Sequence, residues 1–131
     1  MPEPSVILVD LPEGGKFDTG FLEGLDHPVE ICHGPSVGTL CPILAGEECP
    51  KADAAHGVVF ELDLDRSQHR AILRKYQEQL REDVPIAVVT NPEQARRHAS
   101  ILSGVQVWSQ EPGIADLDGF AAEVDAADRL L

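Results

Sequence analysis

The stretch Ile86-Ala87-Val88-Val89-Thr90-Asn91-Pro92-Glu93-Gln94 changes its pattern midway. Ile86 to Val89 is a short, β-branched, apolar run, as expected of a strand buried on both faces. It ends at Thr90. Asn91 is then a helix cap, with Pro92 in the first turn and Gln94 placed to bond back to the cap. Gly104 closes that helix, and Val105-Gln106-Val107-Trp108 reads as the next strand. A strand that runs into a capped helix and then another strand is the unit of a parallel sheet with crossover helices.

The same unit repeats in both directions. Downstream, a last helix starts near Asp116, with Leu117, Phe120, Ala121, Val124, Ala127 and Leu131 inward. Upstream, Ser67 to Glu82 is a helix with Ile72, Leu73, Tyr76 and Leu80 on one face, stopped by Pro85. Val58-Val59-Phe60-Glu61-Leu62 precedes it as a strand. Val6-Ile7-Leu8-Val9 is another, ending at Asp10. Phe17 to Leu25 has helical spacing interrupted by Gly20 and Gly24, and Val29-Glu30-Ile31-Cys32 is a strand halted by Gly34-Pro35. Val37 to Ala45 reads as a short helix, and Glu47 to Asp53 as loop. The expectation is five strands alternating with five helices in one domain over residues 1–131. No internal repeat or low-complexity segment interrupts it.

Composition narrows the function. The chain has 131 residues, 43% of them hydrophobic, and a formal charge of −13 from 10 basic and 23 acidic side chains. A chain of this size buries about two-thirds of its unfolded surface and needs no disulfide or metal to hold a core. Such an acidic surface repels phosphate backbones and anionic lipids, which argues against nucleic-acid and membrane partners. Met1-Pro2-Glu3-Pro4 lacks a basic region followed by an apolar one, so no signal peptide is expected and the compartment is cytoplasmic.

In open parallel sheets the site lies beyond the carboxyl ends of the strands. Those ends carry Asp10, Cys32-His33, Glu61 to Asp63, Thr90 and the turn after Trp108. With the strand runs at 6–10, 58–62 and 86–90, and with Gly104 to Pro112, the chain resembles the response-regulator receiver domain of two-component signalling. The resemblance implies a flavodoxin-like (βα)5 three-layer sandwich whose parallel sheet has the order 2-1-3-4-5. The receiver-equivalent pocket would hold Asp10, Glu61, Asp63, Thr90 and Glu111, with Trp108 at the aromatic switch position.

The family's chemistry needs an acidic pair for Mg²⁺, an acceptor aspartate, a hydroxyl and a lysine before a proline. Asp10 supplies one member of the pair, but its neighbour is Leu11. Thr90 supplies the hydroxyl. Glu111-Pro112 replaces the Lys-Pro dipeptide. Losing one preorganised charge of this kind costs about 3–4 kcal/mol of transition-state stabilisation. The acceptor position falls to Glu61 or to Asp63. Glutamate there would imitate a phosphorylated aspartate and fix one state, whereas Asp63, with Asp10 holding Mg²⁺, would keep phosphorylation open.

The expectation is therefore a non-enzymatic, stand-alone, atypical receiver-like domain acting in signal transduction by protein binding and needing no cofactor. Its partner would be another signalling protein or a second copy, met through the fourth helix, fifth strand and fifth helix. That face would present Arg96, Arg97, Ile101, Trp108 and Glu111. A different class of function, a redox or metal sensor, would use Cys32, Cys41 and Cys49, with His33 completing a zinc set. His27, His56, His69 and His98 read as surface residues. Gly14-Gly15-Lys16 lacks the remaining residues of a phosphate loop, and no Gly-x-Gly-x-x-Gly follows the first strand.

Overall fold

The computed structural model of the chain describes residues 5–11, 19–25, 27–32, 55–80, 84–109 and 113–129. Strands β1 (Ile7–Asp10), β2 (Val29–Cys32), β3 (Gly57–Phe60), β4 (Ile86–Val89) and β5 (Gln106–Trp108) form one sheet in the order β2-β1-β3-β4-β5. Every adjacent pair is parallel. Asp10 pairs with Cys32 on one side and Phe60 on the other, so the ends of three strands lie level. The β1 and β3 residues are buried throughout, as central strands covered on both faces must be.

Helices cover both faces. The described helices are α1 (Thr19–Gly24), α2 (Ser67–Gln79), α3 (Pro92–Arg97) and α4 (Ile114–Arg129), with a 3₁₀ turn at Ala99–Leu102. On one face, Ile72, Leu73 and Tyr76 of α2 and Ile101 and Leu102 of the 3₁₀ turn pack on Leu8, Val58, Phe60 and Val88. On the other, Leu22 of α1 and Leu117, Phe120, Ala121 and Val124 of α4 pack on Ile7, Val9, Val59 and Ala87. The result is an α/β fold of three layers. No helix among the described residues is long and apolar enough to cross a membrane.

β3 approaches α4 so closely that a side chain at its first residue has no room. A Cβ at Gly57 would lie 2.6 Å from the Val124 Cγ2 and 3.2 Å from the Phe120 ring.

Several expectations change. Helix α2 ends at Gln79, because Leu80 turns extended and its N–H closes on the Tyr76 carbonyl. The helix expected from Asn91 to Gly104 is broken at His98, where the backbone leaves helical geometry and a 3₁₀ turn follows. Gly104 then reverses the chain with φ +81°. Helix α4 begins at Ile114, before Asp116, which reaches back to accept the Gly113 N–H at 3.0 Å. Ile101 and Trp108 point into the core and are not available to a binding face. His27 and His69 are buried rather than on the surface. The His27 ring sits 3.0 Å from the Ser5 carbonyl and 3.3 Å from Asp125, tying the start of β1 to α4. The helix expected at 37–45, and Lys16, His33, Cys41, Cys49 and Glu111, lie outside the described residues.

Candidate functional site

The carboxyl ends of the strands are stitched together by backbone bonds. The Leu11 N–H donates to the Cys32 carbonyl, the Glu61 N–H to the Asp10 carbonyl, and the Thr90 N–H to the Trp108 carbonyl. Asp10 and Thr90 are buried, Glu61 is half-buried and Asp63 is exposed. Glu61 thus leaves β3 directly beside Asp10, while Asp63 stands farther out. Trp108 is buried edge-on against Phe120, with ring centres 5.8 Å apart.

The loop after β3 alternates. Leu62 and Leu64 are buried and anchor it, and Asp63 and Asp65 face outward between them. Asp63 shapes the turn with its own carboxylate, which accepts the Asp65 N–H at 3.0 Å. Its carbonyl accepts the Arg66 N–H. The Asp63 N–H donates to the His69 Nδ1 at 3.0 Å, and Arg70 donates to the Leu64 carbonyl at 2.8 Å. The first turn of α2 therefore grips this loop from below.

Helix α3 grips it from the side. Asn91 caps α3 as expected, its Oδ1 accepting the Gln94 N–H at 2.9 Å. The Gln94 side chain does not return to the cap. Its Oε1 accepts the Thr90 hydroxyl at 2.9 Å, and its Nε2 donates to Asp63 Oδ1 at 2.8 Å and Asp65 Oδ2 at 3.0 Å. Arg97 and His98 meet the same Asp65 carboxylate, at 2.8 and 3.0 Å. The Gln94 amide, then His98 and Arg97, hold the Asp65 carboxyl below the usual carboxylate value.

His69 behaves in the opposite sense. Burial, with the nearby Arg66 charge, holds its imidazole below the ordinary value, although the Asp63 carboxylate pulls the other way. Its Nδ1 accepts a hydrogen bond only while unprotonated, so the geometry agrees with a neutral ring.

The structure thus brings Asp63 and Thr90 together through Gln94, and sets Glu61 against Asp10 through the backbone. Sequence reasoning missed Asp65, His69, His98 and the side-chain role of Gln94, and placed Arg97 on a partner face rather than here. One signal was present: Gln94, Arg97 and His98 share a helix face one turn beyond Thr90. Cys32 is half-buried and packs against the core. Among the described residues no group of three or more His, Cys, Asp or Glu side chains is arranged to hold a metal ion.

No protein-family model matches this chain, and neither the curated proteins nor the solved structures compared with it give a match.

Proposed function

We propose that this chain is a flavodoxin-like, receiver-like signalling domain that acts by binding another protein, or a second copy of itself, without a phosphorylation step. The observation that carries this reading is the tie at the strand ends. The Thr90 hydroxyl and the Asp63 carboxylate, the groups that would handle a phosphoryl oxygen and a metal, are both engaged by Gln94. The sheet order and the buried Asp10 at the end of β1 support the receiver-like frame. Glu61, beside Asp10, supports a chain whose acceptor position already carries a displaced negative charge. Glu111 in place of the lysine adds to that argument.

The binding face argued from the sequence is redrawn on this frame. Val107 on β5 and Ile114 at the start of α4 are exposed apolar residues. Val107 pairs with Val88 and so lies on the α2 face of the sheet, where it takes the place of the buried Ile101 as an apolar contact for a protein partner. The same reading implies a cytoplasmic protein with no nucleic-acid or membrane partner.

Incubation with Mg²⁺ and a small phosphodonor, followed by intact-mass measurement, tests the absence of phosphorylation. The reading predicts no gain in mass. A gain of one phosphoryl group, lost in Asp63→Ala, would restore the phospho-accepting receiver with Asp10 and Asp63 around Mg²⁺.

A further inference from the structure

Gln94 joins two segments far apart in sequence, and it does so with both ends of one carboxamide. The oxygen takes a proton donor, Thr90, and the nitrogen gives its two protons to two acceptors, Asp63 and Asp65. Few side chains can do both. A glutamate would offer acceptors to Thr90 but would set a third carboxylate against Asp63 and Asp65. A methionine of similar length would offer no donor.

We propose that Gln94 is a built-in bridge that holds the β3–α2 loop and the β4–α3 junction in one fixed arrangement. It does from within the chain the joining that an added anionic group and cation would do in a switchable pocket. The inference rests on the receiver-like reading for its meaning in signalling, but the bridge itself stands on the hydrogen bonds alone. Arg97 and His98 are positioning residues in the same device, because they hold Asp65 where Gln94 meets it. The device fits the site's chemistry. Two carboxylates one residue apart repel each other, and the amide, the guanidinium and the imidazole supply donors that quiet that repulsion.

Helix α3 buries no side chain, so substitutions at Gln94 leave the core intact. The test is amide hydrogen exchange on the full chain, comparing the native protein with Gln94→Met and Gln94→Glu. Exchange at residues 63–66 should rise about tenfold in Gln94→Met, the scale of a net hydrogen bond lost in a local opening. It should rise further in Gln94→Glu, and added salt should partly reverse that extra increase. Amides of β1, β3 and β4 should stay protected in both variants. Native-like exchange at 63–66 in both variants, or Gln94→Glu more protected than Gln94→Met, would overturn the bridge. Because no phosphodonor or partner enters this experiment, its outcome is separate from that of the mass measurement. A phosphorylated native protein would remove the proposed function and leave the bridge to be judged on exchange.

Discussion

His69 shows how one buried side chain couples the loop to pH. Its Nδ1 accepts the Asp63 N–H, and protonation removes that acceptor. The folded-state value lies below the ordinary 6.5, so the unfolded chain binds the proton more readily. The stabilisation is therefore fully present above about pH 6.5 and is lost as pH falls through the lower folded value. His69→Asn offers a side-chain oxygen to the same N–H without a titrating ring. We expect the native protein to lose unfolding free energy relative to this variant on acidification from about pH 7 to about pH 5. A stability difference independent of pH over that range would contradict the assignment. Asp65 acts lower on the scale. Its depressed carboxyl contributes above its ordinary value of 3.8, and that contribution disappears as pH falls through the folded value. Neither histidine nor aspartate was legible as part of a site, because their partners lie across turns that spacing alone does not reveal. Thr90 and Asn91 were legible, since a hydroxyl at a strand end and a cap before Pro92 have local signatures.

At the scale of the element, the strands were the readable part. Short β-branched runs between glycine, proline and asparagine leave few alternatives, and all five strands lie where the sequence puts them, with ends shifted by one or two residues. Helix α3 was less readable. Nothing in Ala95 to Leu102 forbids a continuous helix, yet the chain breaks at His98. Turning there lets Ile101 and Leu102 reach the core while His98 reaches Asp65, so tertiary contacts override local propensity. Gly57 opens β3 one residue before the expected Val58, and its glycine is explained by a close approach to α4. A methyl at Gly57 meets Val124, a stiff β-branched side chain, and the Phe120 ring, neither of which swings aside freely. Gly57→Ala should therefore destabilise the fold by about 1–3 kcal/mol, the cost of overpacking a close contact. Chemical denaturation checks this, and an unchanged midpoint would show that α4 moves away at no cost. Pairing Gly57→Ala with Val124→Ala should recover part of the loss, since it removes the nearest atom.

At the scale of the molecule, the basic side chains among the described residues are unevenly placed. Among the described side chains, Arg66, Arg70, Arg74, Lys75, Arg96 and Arg97 all belong to α2, α3 and their flank. Helix α4 on the opposite face exposes Asp116, Asp118, Glu123 and Asp125. The α2–α3 side also carries Asp63, Asp65, Glu78 and Glu93, so it is mixed in sign where the described side chains of α4 are acidic. The layered α/β architecture was legible from alternation alone, as each strand–helix unit needs the next to cover its apolar face. The site was legible only as a place, the carboxyl ends of the strands, and not as a network.

On the proposed function, this place holds one arrangement without an added group. Trp108 is the single tryptophan, and its carbonyl accepts the Thr90 N–H, so its emission reports on that junction. Titrating the reduced protein with Mg²⁺ and then with beryllofluoride, a mimic of the phosphoryl group, tests that proposal. A chain already held in one arrangement gives no saturable change in Trp108 emission with either addition. A saturable change that disappears in Asp63→Ala would contradict it and make phosphorylation the switch.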